Sequence, residues 1–466
     1  MSKAEQLAAY VIRARYEDMD ETIRRELKIR ILDSLGCALG ALGGEPIRLI
    51  RDLIREFGRG GSCTLIGFGR AAPDRAAFYN SALVRYLDFN DSYLAKGETC
   101  HPSDNLGAVL AAAEYARRSG RDLLTALAVA YQVQCRLSDV APVRARGFDH
   151  TTQGSYALAA GISKALGLDR QRTANALAIC GTAFNALRVT RTGALSHWKG
   201  LASPNNAFCC THGTFLAARG ITGPPEVFEG NKGFMDAIAG PFEIDWSQEG
   251  FDRITRTILK KYNAEIHSQA AIEGTLELKQ SNGFRAYDVE KIVIDIFDVA
   301  YHIIGGGEEG DKTVVRTKEE ADHSLPYLVA VALLDGQVMP EQFAPRRIAG
   351  SDVQDLLKRV IVREKPEYSR RFPDEHPCAL TVSLKNGETL RREKQEYEGF
   401  HSRPMSWDMA IEKFGRLAGA AVDDTLRRGL IDVVSHLEDL EVADLTRLLA
   451  QVPSPDRKKR RAKLWL

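Results

Sequence analysis

Apolar residues recur at helical spacing along the first half of the chain. In ETIRRELKIRILDSLGCALGAL, residues Ile23, Leu27, Ile31 and Leu35 repeat every four positions, which places them on one face of a helix. Other segments between residue 4 and about residue 220 are rich in alanine and other small residues, which let helices approach closely. No common helical repeat motif fits the segment, so the pattern predicts an all-helical domain rather than a solenoid.

The pattern changes after about residue 258. VEKIVIDIF is a β-branched run bounded by polar residues, which is typical of a strand. CALTVSLKNGETLRREKQEY contains two alternating segments around Asn386-Gly387, a strong signal for a β-hairpin. Between these segments, SLPYLVAVALLDG and GSDVQDLLKRVIV have helical patterns, so we expect a smaller α+β domain.

The chain becomes helical again from SWDMAIEKFGRLAG onward, and we expect this segment to complete the first domain. The predicted fold class is mainly α with a smaller α+β domain: a large all-helical domain built from both chain ends, with an inserted α+β lid domain. The predicted boundaries are 1–257 for the first part of the helical domain, 258–398 for the lid and 399–466 for the returning segment. Small ligands usually bind in clefts between domains, and we expect the site there.

Charge and cysteine usage exclude several classes of protein. The chain has 63 basic and 62 acidic side chains, so no global field favours a nucleic-acid or membrane partner, and we expect neither. We interpret the basic tail PDRKKRRAKLWL as solvated. The eight cysteines lack the spacing of iron–sulfur or structural zinc sites and are read as reduced thiols. Without a targeting or transmembrane segment, a cytoplasmic location is expected.

Ionisable groups are concentrated in YLDFNDSYLAKGETCHPSDNLG. His101 precedes Pro-Ser-Asp, which opens a helical run, and amides of a first helical turn bind anions. Asp88, Asp91 and Ser92 lie within one loop's reach, and a nearby carboxylate can orient an imidazole. A histidine with a purely structural role is the alternative.

A second group lies in ILKKYNAEIHSQAAIEGTLEL. Lys260 and Lys261 precede Glu265 and His267 at the start of a helical pattern, which gathers basic groups and an acid/base pair in one place. The alternative is a solvated interdomain linker. The position at the predicted domain junction favours a site.

A third group lies in RVTRTGALSHWKGLASPNNA. It contains Arg188, Arg191, His197 and Lys199 among small residues, which suits a loop that binds carboxylates. A plain surface loop is the alternative.

In EEADHSLPYLVAVALLDG, helix capping by Ser324 or Asp322 explains most of the pattern, and His323 and Tyr327 are candidates to face the cleft. GGGEEGDK lacks the Gly-Lys-Ser/Thr of a phosphate loop and is interpreted as a turn or mobile loop.

Six blocks, in this order, resemble the MmgE/PrpD family: LDFNDSYL, HPSDNLGAVLAAAEYA, SHWKGLA, GPPEVFEGNKGF, KKYNAEIHSQAAIE and DHSLPYLVAVALLDG. Members include iron–sulfur-independent 2-methylcitrate dehydratases, cis-aconitate decarboxylase and iminodisuccinate epimerase. The resemblance covers nearly the whole chain and implies the two-domain fold described above, commonly as a homodimer. It also implies a small polycarboxylate substrate bound between the domains, and we expect no cofactor and no metal.

The resemblance also transfers individual residues. It puts the first acidic motif of the family on Asp88, the histidine before proline on His101, the lysine on Lys260 or Lys261, and the tyrosine of the lid helix on Tyr327.

Other positions bear on the branch of the family. Ser92 stands where many members have threonine, and Asn263 where proline is usual. Members with decarboxylase activity tend to carry histidine where Glu265 stands, and the loop LAKGETCHPSDN is longer here. Both features make the chain more similar to the dehydratase branch.

The predicted reaction is dehydration of 2-methylcitrate or a similar hydroxy-tricarboxylate, by proton abstraction and loss of water. Decarboxylation or epimerisation of a related acid, a metal-dependent hydrolase with His101, Asp104 and His267 as ligands, and a non-catalytic scaffold stay as alternatives. We expect Asp88 to hold the tautomer of His101. The predicted catalytic residues are His101, Asp88, Lys261, His267 and Tyr327, and the predicted substrate-binding residues are Asp91, Ser92, Asp104, Lys199, Lys260, Glu265 and His323.

Overall fold

The chain folds as two compact units in a computed structural model that describes residues 1–57 and 60–454. The helical unit contains Met1–Thr190, Gly200–Thr257 and the segment from Ser406 onward, and the α+β unit contains Arg191–Lys199 and Ile258–Met405. The predicted fold class, mainly α with a smaller α+β part, is confirmed. The tail PDRKKRRAKLWL lies outside the described residues.

The N-terminal part of the helical unit is a succession of packed helices. Their bounds are α1 Lys3–Arg13, α2 Glu21–Gly40, α3 Glu45–Glu56, α4 Pro73–Tyr86, α5 Leu106–Tyr115, α6 Gly120–Val140, α7 Thr151–Leu166, α8 Arg170–Ala183 and α9 Ala202–Ala218. Helix α4 packs against α5 and α9, and α7 packs against α6, α8 and α9. Across the described ranges, no helix combines the length and the apolar character that crossing a bilayer requires.

The close approach of α4 and α5 depends on a glycine. A Cβ atom at Gly107 would lie 2.4 Å from the Oγ of Ser81 and 2.5 Å from its backbone nitrogen, so no larger residue fits. The two helices are joined by residues 87–105, the loop in which the sequence concentrates its ionisable groups. The tight contact therefore fixes both ends of that loop.

Two short hairpins interrupt the helices and were not predicted. Strand β1 (Cys63–Leu65) pairs with β2 (Gly69–Ala71), and β3 (Tyr93–Ala95) pairs with β4 (Glu98–Cys100), both antiparallel. Strands of three residues are too short for an alternating pattern to be visible in the sequence.

The α+β unit is built on a mixed sheet with the strand order β6-β5-β7-β8. Its elements are α10 Gln269–Asn282, β5 Val289–Ile296, α11 Asp298–Ile304, α12 Lys318–Ala321, α13 Leu325–Asp335, α14 Pro345–Ile348, α15 Ser351–Leu356, β6 Val360–Glu364, α16 Pro366–Ser369, β7 Cys378–Leu384 and β8 Thr389–Lys394. The predicted strand in VEKIVIDIF is β5, and the predicted hairpin is β7–β8, with Gly387 in its turn at a φ of +90°.

One helix prediction was wrong at its C-terminal end. The segment GSDVQDLLKRVIV is helical only in its first part, because Val360–Glu364 forms β6 and pairs in parallel with β5. The β-branched residues of VIV suit an extended strand better than a helix.

The C-terminal segment belongs to the helical unit. It contains α17 Trp407–Ala418, α18 Asp424–Ser435 and α19 Val442–Gln451, and α17 packs against α2. Between these two helices, the ammonium of Lys413 lies 2.6 Å from the carboxylate of Asp33. Lys413 also donates a hydrogen bond of 2.8 Å to the carbonyl oxygen of Phe89, in the loop between α4 and α5. A helix from the end of the chain thus supports that loop.

Candidate functional site

The β3–β4 hairpin brings Ser92 and His101 together in the helical unit. Tyr93 pairs with Cys100 at the open end of the hairpin, so the residues just outside this pair face each other. The Oγ of Ser92 lies 3.0 Å from the Nδ1 of His101. The longer loop before His101 is therefore an ordered hairpin that sets the position of the imidazole.

The backbone fixes the tautomer of His101. Its Nδ1 lies 2.8 Å from the carbonyl oxygen of Asp91, and a carbonyl can only accept, so Nδ1 carries the hydrogen. In the neutral ring the lone pair is then on Nε2, where a general base needs it. The predicted acceptor for this role was the carboxylate of Asp88; the acceptor observed on Nδ1 is the backbone of Asp91.

The carboxylate of Asp91 holds the loop in place. Its Oδ1 accepts hydrogen bonds from the amide (3.0 Å) and the hydroxyl (2.6 Å) of Ser103, and its Oδ2 accepts one from Tyr131 (2.8 Å). Ser103 lies in the turn Pro102–Asn105 that precedes α5. The Ser103 amide, one of those predicted to bind the substrate, is thus satisfied by a carboxylate of the protein itself.

Asp88 adopts an uncommon backbone conformation. Its φ is +56°, in the left-handed region that few residues other than glycine adopt and that is enriched at functional sites. The buried guanidinium of Arg85 forms an ion pair with the Asp88 carboxylate. Arg85 also donates to the side-chain oxygen of Asn90 at 3.2 Å, and its Nε lies 3.8 Å from the carboxylate of Asp104.

His150 joins this cluster, although the sequence analysis did not select it. Its ring lies edge-on to that of His101, with 5.2 Å between the centroids. Its Nε2 lies 4.0 Å from Asp104, and its Nδ1 lies 3.5 Å from Asp149. A signal was available in the sequence, because an Asp-His pair stands directly before Thr151, where α7 begins. We call Arg85, Asp88, Asp91, Ser92, His101, Asp104 and His150 the histidine cluster.

A second cluster lies in the α+β unit, around Asp322. The ammonium of Lys199 lies 2.6 Å from Oδ1 of Asp322 and 2.9 Å from Nδ1 of His323, and that Nδ1 lies 2.7 Å from the same carboxylate oxygen. Lys318 reaches the other oxygen at 2.7 Å. We call Lys199, Lys318, Asp322 and His323 the lysine cluster.

Asp322 stays ionised despite full burial. Burial raises the pKa of its carboxyl, but the charges of Lys199 and Lys318 and the hydrogen bond to His323 outweigh burial and hold the pKa well below its usual range. Asp322 was predicted only as a possible helix cap, and the cap of α13 is Ser324, whose Oγ accepts from the amide of Tyr327. The observed role of Asp322 is to hold Lys199 and His323 in one place.

The two adjacent lysines of the second sequence group have different environments. Lys261 is one-third exposed and pairs with Glu398 at 2.8 Å and Glu273 at 3.3 Å. Lys260 is buried to 1% exposure. The ammonium of Lys261 therefore already has two carboxylate partners from the protein.

Glu265 and His267 stand at the start of α10. The carboxylate of Glu265 accepts from the amide of His267 at 2.7 Å, and its backbone amide donates to the carbonyl of Asp322 at 3.0 Å, which ties this segment to the lysine cluster. The ring of His267 is fully buried among Phe297, Phe372 and His376. This is the environment of a core residue.

Tyr327 is also a core residue. It is fully buried on α13, and its hydroxyl donates to the carbonyl oxygen of Gln342. Burial raises the pKa of this phenol above its ordinary value. Its proton is therefore held by the backbone. The catalytic and binding roles assigned to residues from the sequence stay predictions.

Comparison with known proteins shows the family. Residues 5–247 match the MmgE/PrpD N-terminal domain, and residues 262–439 match the MmgE/PrpD C-terminal domain. The chain belongs to the MmgE/PrpD family, as its sequence blocks indicated.

Curated relatives carry two kinds of name. A protein from Mus musculus named cis-aconitate decarboxylase is 28% identical over 475 residues, which cover 96% of this chain and 93% of that relative. Proteins named 2-methylcitrate dehydratase from Cupriavidus necator and Salmonella typhi are 28% and 27% identical; each match covers 82% of this chain and 83% of the relative.

Proposed function

We propose that this protein is a lyase that dehydrates a hydroxy-tricarboxylate of the 2-methylcitrate type. The observation that carries the proposal is the tautomer of His101, whose Nδ1 hydrogen is donated to the carbonyl of Asp91. Nε2 of the neutral ring can then accept a proton from a carbon atom next to a carboxylate. The names of the relatives, which are those of dehydratases and a decarboxylase acting on such acids, support the same class.

The proposed reaction balances as follows. Nε2 of His101 removes the proton α to a carboxylate, and the electron pair forms a carbon–carbon double bond as the β carbon–oxygen bond breaks. The departing hydroxyl takes up a proton and leaves as water, so the products are an unsaturated tricarboxylate and one water molecule. Negative charge grows on the adjacent carboxylate during proton removal, and a buried ammonium can offset it. Lys199 is our candidate for that group.

Dehydration is favoured over decarboxylation by two features of the sequence. Glutamate stands at position 265, where decarboxylases of the family tend to have histidine, and the loop before His101 is longer. That loop forms the β3–β4 hairpin and brings Ser92 to His101, so the feature bears directly on the proposed base.

Decarboxylation is the second candidate, because the Mus musculus relative named cis-aconitate decarboxylase matches 96% of this chain. Both reactions begin with an unsaturated or potentially unsaturated polycarboxylate, but they release different small products. The homodimer and the cytoplasmic location that the family resemblance implies stay predictions.

The test is to incubate the purified protein with a panel that contains 2-methylcitrate, citrate, cis-aconitate and iminodisuccinate. Dehydration predicts an ultraviolet-absorbing product from a hydroxy acid without carbon dioxide. Carbon dioxide from cis-aconitate would instead establish decarboxylation, and a change of optical rotation alone would establish epimerisation. Loss of all activity with a strong chelator would favour the metal-dependent alternative.

A further inference from the structure

Lys312 is a nearly buried lysine whose charge has no ion-pair partner. It lies in the loop between α11 and α12 and is 9% exposed. Among residues 1–57 and 60–454, no carboxylate oxygen lies within ion-pair distance of its Nζ. Burial of an ammonium is unfavourable unless an anion compensates it, so this position requires an explanation.

The backbone at Lys312 is held firmly. Its carbonyl oxygen accepts a 2.5 Å hydrogen bond from the hydroxyl of Ser324, the residue that caps α13. On the other side of Lys312 in the loop, the amide and hydroxyl of Thr313 both donate to Asp311 at 2.7 Å. These contacts fix the point from which the side chain extends, so the burial of Lys312 is not a result of a loosely placed loop.

The surroundings of Lys312 are those of the lysine cluster. Burial lowers the pKa of its ammonium most, Lys199 lowers it further, and the more distant charges of Glu309, Glu265 and Asp322 raise it. Asp322 is already bound by Lys199 and Lys318. Lys199 and Lys312 therefore form a region of positive charge in which Lys312 has no carboxylate bound to it.

We propose that Lys312 binds a carboxylate group of the substrate, in the same polyanion site as Lys199. The inference rests on the proposed function and deepens it, because it assigns a binding residue for a polycarboxylate. A substrate carboxylate would provide the counter-ion that the protein does not, and a charge-assisted hydrogen bond of this kind is stronger than a neutral one. The GGGEEGDK segment, interpreted from the sequence as a turn, would then carry a binding residue.

The experiment measures binding of tricarballylate, a tricarboxylate without a hydroxyl group that cannot lose water. Calorimetry compares the full-length wild type with Lys312→Met, Lys312→Arg and the control Lys358→Met, whose lysine is exposed in the same unit. We expect Lys312→Met to weaken binding by about 10-fold to 100-fold, and Lys312→Arg and Lys358→Met by less than about threefold. Equal affinity of Lys312→Met and wild type would overturn the proposal, as would a wild type that does not bind tricarballylate.

A second measurement does not depend on the folding of a variant. Wild-type protein is treated with acetic anhydride, and acetylation of Lys312 is followed by mass spectrometry with and without tricarballylate. Protection of Lys312, with no protection of Lys358, is the expected result, and equal acetylation of Lys312 in both samples would contradict binding there.

Turnover separates this inference from the proposed function. A wild type that binds tricarballylate through Lys312 but converts no polycarboxylate would refute the lyase proposal and support the binding residue. A wild type that dehydrates its substrate, with an unchanged KM in Lys312→Met, would support the lyase and refute the role of Lys312.

Discussion

The Nδ1 of His101 lies 2.8 Å from the carbonyl oxygen of Asp91, ten residues earlier in the chain. This single contact determines which ring nitrogen carries the hydrogen, and it depends on a loop fixed by the Asp91 carboxylate, the β3–β4 hairpin and Lys413. The predictions below test the parts of this arrangement and the division of roles among the lysines.

Removing the hydroxyl of Tyr131 should loosen the loop that holds His101. In Tyr131→Phe, Oδ2 of the buried Asp91 loses the donor at 2.8 Å, which should lower the free energy of unfolding by about 1–3 kcal/mol. We expect kcat to fall by roughly tenfold with little change in KM, because misplacement of a catalytic group affects the chemical step. The control is Tyr10→Phe, which loses a hydrogen bond to Gly250 elsewhere in the helical unit and should keep its kcat. Unchanged kcat in both variants would refute the positioning role.

Lys199 and Lys261 should respond differently to substitution. Lys261 already pairs with Glu273 and Glu398, so Lys261→Met should change KM for a tricarboxylate by less than about threefold. Lys199→Met removes a buried ammonium from the lysine cluster and should raise KM by about tenfold or more. Steady-state kinetics of the two variants provides the comparison, and a larger effect at Lys261 would restore the prediction made from the sequence.

The buried ion pair of Asp33 and Lys413 should contribute to stability as a pair. Lys413→Met would leave the Asp33 carboxylate buried without its partner at 2.6 Å, and we expect unfolding free energy to fall by about 3–5 kcal/mol. The double variant Asp33→Asn, Lys413→Met should recover part of the loss, because no isolated charge then remains. Urea denaturation measures both. A loss below about 1 kcal/mol in the single variant would show that the pair is not important for folding.

Stability should fall in mild acid because of His376. Burial lowers the pKa of this imidazole from its ordinary value to about 4. Between this value and the unfolded-state pKa of about 6.5, the unfolded chain binds more protons, so stability is present above pH 6.5 and is lost as the pH falls. The contribution of His376 should decrease by about 2 kcal/mol between pH 7.5 and pH 5.

His376→Phe should remove this part of the pH dependence, because phenylalanine does not titrate and the site is surrounded by the rings of Phe297, Tyr397 and Phe400. Exposed His436 provides the control variant, His436→Gln, which should keep the wild-type slope. An unchanged slope in His376→Phe would show that other groups dominate acid destabilisation.

The fold class was predictable because long helices and the β7–β8 hairpin have strong periodic or turn signals. The three-residue strands β3 and β4 do not, although their pairing is what brings Ser92 to His101. The strand β6 was assigned to a helix because its pairing with β5 is a long-range contact that no local pattern reveals.

The candidate site was predictable in composition and less so in detail. His101, Lys199 and His323 lie in charged clusters, and each was selected because of its ionisable neighbours in sequence. The environments of Lys260 and Lys261 could not be distinguished, since burial of one and pairing of the other depend on tertiary packing. His150 and Lys312 were missed for the same reason: their partners are far away in the chain.

The most direct test of the account is the rate at which wild type and His101→Gln convert the best hydroxy-tricarboxylate of the panel into its unsaturated product, with His436→Gln as the matched control. We predict that His101→Gln lowers kcat by roughly a hundredfold or more while circular dichroism shows an intact fold, and that His436→Gln equals wild type. A near-normal kcat in His101→Gln would contradict the assignment of this imidazole as the base.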